Sequence, residues 1–234
     1  MSSAVFTIVL ATHLIAANFA TAGPFVALWL EMRGRRRGDE RATSLARQAI
    51  ATSMGSLAVA MVLGLVAVGL MWWRWPAALD AGFGSVPQSR LWFGGVELAF
   101  YFVCLAAYLP LARGPSAARS RSRQATLVAL ALLAGTDVAY HFPPLFAVVG
   151  TYGANPDSLP SGASFLALML EPEPLALTIH FLLASIAVGG VGLSWLAIRP
   201  GTASPEIALT SGRLALAATL GQLLSGGWLV VATN

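Results

Sequence analysis

The sequence predicts an all-α membrane protein, one polytopic bundle of six transmembrane helices, and three observations support this class. The 234 residues are 57% hydrophobic and only 10% charged. Mean hydropathy is +0.73, well above that of an ordinary soluble domain. Several apolar runs exceed the ~20 residues that a helix needs to cross a bilayer, and one soluble core of this size would not bury them all. A soluble globular enzyme is therefore excluded.

Each apolar run is expected to be helical, because hydrocarbon offers no water to satisfy an open backbone. One domain covers residues 1–234, and no soluble domain is left over. The first run is too long for a cleavable signal, lacks a basic start and ends at Arg33 instead of a small-residue cleavage site. No convincing internal repeat is visible. The predicted spans are 4–30, 48–73, 91–112, 125–149, 175–198 and 210–232.

Arginine is distributed unequally between the two ends of this bundle. All 14 basic residues are arginine, and only Arg74 and Arg90 lie in the gaps after spans two and four. By the positive-inside rule, the arginine-rich gaps are cytoplasmic and both termini lie outside a bacterial-type inner membrane. This topology explains the sequence pI of about 10 better than nucleic-acid binding does, since no base-stacking aromatics flank the arginines. The other arginines are Arg33, Arg35, Arg36, Arg37, Arg41, Arg47, Arg113, Arg119, Arg121, Arg123, Arg199 and Arg213.

Two short features are expected at the outer surface. Trp72, Trp73 and Trp75 lie at the outer end of span two and indicate an aromatic belt, since tryptophan is enriched where membrane meets water. Residues 164–170 are apolar and precede span five. They are predicted to form a short helix along the membrane surface.

The three histidines all lie inside predicted spans, where an ionisable group is costly and by default marks a function. At 1.5 Å per residue, His13 lies about 14 Å, His141 about 12 Å and His180 about 8 Å below the outer end of its span. A single membrane histidine could instead form a packing hydrogen bond between helices. Three at similar depth, with small residues along the faces of His13 and His180, favour a flat macrocyclic cofactor.

Three further polar residues accompany the histidines in the outer half. Glu97 lies about 9 Å deep and Gln222 roughly 15 Å deep. Asp137 lies one turn inward of His141, where the two can share a hydrogen bond; alternatively Asp137 pairs with a group on another helix. Glu97 and Asp137 would tune a haem potential or carry protons. With prolines such as Pro24 inside the spans, they would equally suit a proton-coupled transporter with broken helices. No comparable cluster is expected in the inner half.

Imidazole chemistry favours haem among the possible cofactors. Neutral imidazole is a good axial ligand for haem iron, and paired histidines would give an electron-transfer cytochrome. A zinc or copper ion is the alternative, but it requires ligands that converge to about 2 Å from the metal. Met61 or Met71 could supply a thioether. The single cysteine, Cys104, allows no internal disulfide and no CxxCH attachment of a c-type haem.

Three segments, taken in order, carry a family resemblance. They are Thr12-His13-Leu14-Ile15, Val96-Glu97-Leu98-Ala99-Phe100 and Ile179-His180-Phe181-Leu182-Leu183-Ala184-Ser185. Over roughly residues 5–200 the chain resembles the N-terminal half of subunit I of cytochrome bd-type quinol oxidases. In that family, histidines in the first and fifth spans ligate haem, and a glutamate in the third lies by the high-spin haems. The resemblance implies one or two b-type haems with His180 and His13 as axial ligands.

The departures from the family pattern bear on function. After six spans the chain lacks the family's long quinol-binding loop, the methionine that completes the low-spin haem, and a later glutamate ligand. A complete oxygen reductase is therefore not expected. His141, in Tyr140-His141-Phe142-Pro143-Pro144, has no family counterpart. It would replace the missing methionine in a bis-histidine site with His180. Alternatively His13 and His180 would each hold a haem, with His141 or a partner chain completing one of them.

These observations predict a haem b subunit of a respiratory complex. It would relay electrons between the quinone pool and an outer-face partner, either a c-type cytochrome or an iron–sulfur protein. As an enzyme it would be an oxidoreductase subunit linked to quinol. A weaker similarity of residues 180–190 to copper-resistance membrane proteins makes copper transport an alternative, alongside proton-coupled transport. A cofactor-free scaffold is the third possibility.

Overall fold

The computed structural model describes residues 3–115, 119–160 and 162–233, which form helices and connections without any strand. Six of the helices are long and apolar enough to cross a membrane, as predicted. An even number of spans places both termini at the same end of the bundle. In chain order the helices are α1 (Ser3–Arg37), α2 (Glu40–Arg74), α3 (Pro76–Gly84), α4 (Gln88–Leu111), α5 (Arg121–Ala154), α6 (Phe165–Leu170), α7 (Pro172–Ala197) and α8 (Pro205–Ala232), with a 3₁₀ turn at Pro156–Ser158.

The helices begin where the sequence supplies starting signals. The Asp39 side chain accepts bonds from the first turn of α2, and Ser120 does the same for α5. Pro172 and Pro205 open α7 and α8, where the missing N–H costs nothing. Gly38 has a φ of 63° and allows the tight reversal between α1 and α2. These signals fix where each hairpin turns.

Each predicted span corresponds to one long helix, and every one of these helices begins before its predicted start. The spans predicted at 91–112 and 175–198 end one residue beyond α4 and α7. The loop expected between spans two and three contains α3, which the sequence did not predict. Ser164 caps α6 by accepting from the Ala167 N–H, so the short helix predicted at 164–170 is present. Pro24, Pro143 and Pro144 all lie inside continuous helices, not at breaks.

α5 lies centrally and packs against α1, α4 and α7, while α1 contacts α2 most extensively and α7 contacts α8. The main apolar core joins the arginine-rich halves of these helices. It includes the fully buried side chains of Leu30, Leu45, Tyr101, Leu105 and Leu127. This core holds together one half of the bundle, and the candidate histidines lie in the other.

The pairs α1–α2 (hairpin A) and α7–α8 (hairpin B) meet through equivalent residues. The Ser185 hydroxyl donates to Asn18 Oδ1 over 2.8 Å, across a separation of 167 residues. Gly189 follows Ala22 by the same 167 residues, and a Cβ on Gly189 would lie 2.5 Å from the Ala22 Cβ. Two contacts with one offset show that α1 and α7 run parallel and in register.

The second helices, α2 and α8, also pack through equivalent residues. Gly23 of α1 packs against Ser53 and the Ala49 carbonyl of α2. Its counterpart in α7, Gly190, packs against Ala215 and the Ser211 carbonyl of α8, so the α2 and α8 contacts are separated by 162 residues. Hairpin B therefore repeats the packing of hairpin A, and the expectation of no internal repeat is wrong. The residues identical at the 167-residue offset include His13 and His180, Ala17 and Ala184, Ala20 and Ala187, and Gly23 and Gly190.

Candidate functional site

His13 lies half-buried on α1 and is held by the neighbouring helix of hairpin A. Its Nδ1 is 2.8 Å from the Ala60 carbonyl oxygen of α2. Because a carbonyl only accepts hydrogen bonds, Nδ1 carries the hydrogen and Nε2 keeps its lone pair. A Cβ on Gly64 would lie 3.0 Å from the His13 Cε1, so this glycine makes room for the ring.

His180 lies half-buried on α7 and is held in a related way by α8. Its Nδ1 is 3.0 Å from the Ser225 Oγ, and that hydroxyl donates to the Gln222 carbonyl over 3.3 Å. Since the hydroxyl has one hydrogen, it accepts from the Nδ1–H, and the His180 Nε2 keeps its lone pair. A Cβ on Gly226 would lie 3.8 Å from the His180 Cε1.

The two histidines occupy equivalent positions in the repeat. Gln222 follows Ala60 by the 162-residue offset of α2 and α8. The same backbone carbonyl position therefore anchors both rings, directly for His13 and through a serine hydroxyl for His180. His13 precedes the contact residue Asn18 by five positions, which is roughly 140° around the helix. Each imidazole therefore faces its own hairpin and not its counterpart.

His141 has different surroundings and is buried between α5 and α4. Its Nδ1 lies 3.0 Å from Glu97 Oε2, and the rings of Phe93 and Phe142 lie beside it. The predicted hydrogen bond between Asp137 and His141 is not formed. A Cβ on Gly94 would lie 3.5 Å from the His141 Nε2, so a small residue of α4 covers that nitrogen.

Glu97, Asp137 and His141, here named the outer polar cluster, hold buried atoms with no hydrogen-bond partner. These are Glu97 Oε2, Asp137 Oδ2 and His141 Nε2, and no residue within the described ranges bonds them. Glu97 Oε2 and His141 Nδ1 lie at a hydrogen-bond distance, but the angle between them does not meet the requirement for a hydrogen bond. Asp137 precedes His141 by one helical turn on α5. Buried polar groups are nearly always satisfied, so an exception calls for a water, an ion or a function.

The predicted site residues thus form three groups. Glu97, Asp137 and His141 lie together, Gln222 reaches His180 through Ser225, and His13 stands apart with α2. Across the described part of the chain, no three His, Cys, Asp or Glu side chains lie close enough to hold a metal ion. The three histidines therefore do not share a mononuclear zinc or copper centre.

Sequence reasoning missed a buried ion pair in the arginine-rich half. Glu31 is 0% exposed, and its carboxylate accepts from the Arg119 Nη1 at 3.0 and 3.1 Å. The Tyr108 hydroxyl donates to Glu31 over 2.7 Å and the Gln124 amide over 2.9 Å, so α1, α4 and α5 meet at one carboxylate. The expectation of no inner cluster is wrong. The available signal was a carboxylate directly after span one, at the start of an arginine-rich gap.

No protein-family model, curated protein sequence or solved structure matches the chain. The resemblance to subunit I of cytochrome bd-type oxidases therefore stays a prediction that depends on its own residues.

Proposed function

We propose that the chain is a haem b-containing subunit of a respiratory membrane complex, relaying electrons between the quinone pool and a redox partner on the outer face. One observation carries the proposal. His13 and His180 occupy equivalent positions, each with Nδ1 anchored to the partner helix of its hairpin and Nε2 left with its lone pair.

This arrangement suits an axial ligand of haem iron. A ligating histidine characteristically donates its second ring N–H to a carbonyl or similar acceptor, which fixes the tautomer and ring orientation. Because the two rings face their own hairpins, they favour two separate haem sites over one site shared between them. A bound haem would supply one-electron redox chemistry, while this chain would supply the ligands and an apolar surrounding.

The outer polar cluster would handle the protons released when a quinol is oxidised. Glu97 Oε2 and His141 Nδ1 are 3.0 Å apart, within range for a direct proton transfer. Asp137 carries a further buried carboxylate oxygen without a partner in the described residues. A proton could pass along such a cluster without water entering the apolar core. The outer-face electron partner would be a c-type cytochrome or an iron–sulfur protein.

The test is spectroscopic. The purified chain in mild detergent is scanned oxidised and dithionite-reduced, and its haem is quantified as the pyridine haemochrome. We expect a b-type α-band, with His13→Ala and His180→Ala each removing about one haem of two. His141→Ala is the matched control, since its ring has no hairpin anchor: haem content should persist, with an altered pH dependence of the midpoint potential. A colourless, folded protein would overturn the proposal.

The outer polar cluster favours one second candidate, proton-coupled transport. Buried carboxylates with no partner are typical of proton sites in transporters. This candidate predicts substrate uptake into vesicles that depends on a pH gradient, occurs without haem and is lost in Glu97→Gln. The helices of the described residues are continuous, so they lack the broken helices that would further support a transporter.

A further inference from the structure

A cavity of about 320 Å³ opens between α2 and α4 at the arginine-rich end of the bundle. α2 and α4 contact each other far less than either contacts its main neighbour, so their faces leave a groove. Arg47, Gln48 and Ala51 line it from α2, and Leu109 and Arg113 from the end of α4. None of these residues belongs to the candidate site described above.

Arg47 and Arg113 are among the arginines of this end that have no acidic partner in the described residues, and they are the two that line the cavity. Arg33 and Arg37 bind Glu206, and Arg119 binds Glu31. Arg47 and Arg113 are exposed, and no carboxylate of the described residues lies within ion-pair distance of either. The cavity wall is almost wholly apolar, and two exposed arginines without a carboxylate partner lie on it. Their charges attract an anion to this end of the groove.

The remaining lining residues narrow the chemistry of that anion. A guanidinium is matched in geometry to phosphate oxygens, and Gln48 adds a neutral donor. Ala51 and Leu109 provide apolar wall on helices that continue into the membrane. A soluble anion would leave this wall uncovered, whereas a phospholipid presents a phosphate and an acyl chain together. Basic pockets between helices at a membrane surface bind acidic headgroups in this manner.

We propose that this cavity is a binding site for an acidic phospholipid. The phosphate lies between Arg47 and Arg113, and an acyl chain follows the groove between α2 and α4. The bound lipid neutralises both arginines and fills the space between the two helices.

The test uses the full chain in detergent, titrated with phosphatidylglycerol and followed by native mass spectrometry. Arg47→Gln combined with Arg113→Gln should weaken phosphatidylglycerol binding about thirtyfold, given the contribution of each basic residue to acidic lipid binding. The matched control is Arg35→Gln combined with Arg36→Gln. It makes the same charge change on exposed arginines outside the cavity and should leave binding within about twofold.

Two further measurements distinguish binding of an acidic lipid from binding of any lipid or of free phosphate. Phosphatidylcholine should bind several-fold more weakly than phosphatidylglycerol, and glycerol phosphate, which has the headgroup chemistry without the chains, should not compete. Equal losses in the two double variants would overturn the proposal in favour of a diffuse surface charge. Effective competition by glycerol phosphate would overturn it in favour of a free-phosphate site. Circular dichroism of each variant verifies that the helices remain.

Discussion

Hairpins A and B share one packing plan and differ in what surrounds them. In hairpin A the face of α1 is covered by other helices: the Tyr101 hydroxyl donates to the Ala20 carbonyl over 2.8 Å, and Glu31 is enclosed by α4 and α5. The position equivalent to Glu31 in hairpin B is Ile198, which is 65% exposed. Both hairpins pack in the bundle, but at this position hairpin A has a buried polar tie to α4 and α5 and hairpin B has an exposed apolar side chain.

The difference separates two roles within the repeat. The small residues and the anchoring carbonyl are common to both hairpins, and they set where His13 and His180 lie. Among the described residues, the side-chain hydrogen bonds to α4 and α5 are made by hairpin A and not by hairpin B. Positioning of the histidines and stability of the bundle should therefore respond to different substitutions, and the predictions below test that separation.

The largest expected effect is at Glu31. Glu31→Ala should lower the free energy of unfolding by about 3–5 kcal/mol, because it leaves the buried Arg119 charge without its partner. Unfolding by SDS in mixed micelles, followed by circular dichroism, measures the change.

Ile198→Ala at the equivalent exposed position is the control and should cost under about 1 kcal/mol. Replacing both members of the pair, as Glu31→Leu with Arg119→Leu, should recover part of the loss, since no unpaired charge remains. Equal losses at Glu31 and Ile198 would show that the two hairpins are tied into the bundle alike.

A smaller effect separates the two glycine contacts. A Cβ on Gly190 would lie 2.7 Å from the Ser211 carbonyl oxygen, which belongs to the backbone of α8 and cannot rotate away. The Cβ of a substituted Gly23 would meet the Ser53 hydroxyl, which can turn, and would lie 2.9 Å from the Ser53 Cβ, a slightly longer contact than that of Gly190 with a backbone oxygen. Gly190→Ala should therefore cost about 1–3 kcal/mol and Gly23→Ala less. The same SDS titration measures both.

Gly69→Ala provides the baseline, because nothing lies within 4 Å of its added Cβ. It should change stability by under about 1 kcal/mol, the scale of the helix-propensity difference between glycine and alanine. If Gly190→Ala matched this baseline, close packing of α7 on α8 would not limit stability.

The six spans were predictable because hydropathy and helix length are properties of one segment at a time. The burial of Glu31 was not predictable, because a charged residue directly after an apolar run normally marks the end of a span. Its partners Tyr108, Arg119 and Gln124 are distant in sequence and meet only in the folded bundle. α3 was also missed, because residues 74–90 hold too short an apolar stretch to stand out.

In the candidate site, too, the properties of single residues were predictable and the contacts between helices were not. The depth and type of each histidine could be read from the sequence, whereas the partner of each ring could not. The i,i+4 rule sees only contacts along one helix, and it predicted Asp137 as the partner of His141. The carboxylate that contacts His141 instead belongs to Glu97, which lies on α4. The repeat escaped notice because its matches are a few small residues and one histidine within uniformly apolar helices.

The serine hydroxyl of hairpin B offers a finer test of equivalence. Under the proposed function, Ser225→Ala should weaken haem binding at His180 at least tenfold, the usual scale for losing a group that orients a metal-ligating histidine. The site at His13, anchored directly on a carbonyl, should be unaffected. Haem titration of the apoprotein, followed at the Soret band, resolves the two sites.

Leu63→Ser places a hydroxyl at the equivalent position of hairpin A and serves as the control. Because the His13 Nδ1 already has the Ala60 carbonyl, this change should alter haem affinity less than about twofold. Two sites weakened together by Ser225→Ala would show that the hairpins do not bind independently.

The smallest expected effect is at the exposed contact that joins the hairpins. Arg33 Nη2 and Arg37 Nη1 of α1 each lie 2.7 Å from a carboxylate oxygen of Glu206 at the start of α8. Exposed ion pairs contribute little, and salt screens them, so Glu206→Gln should lower the unfolding midpoint slightly at low salt and not at all near 1 M. Asp157→Asn, another exposed carboxylate, controls for the charge change. If Glu206→Gln still lowered the unfolding midpoint in high salt, this contact would be a structural tie like Glu31. The contrast between the two hairpins would then be weaker than the burial of Glu31 and the exposure of Ile198 indicate.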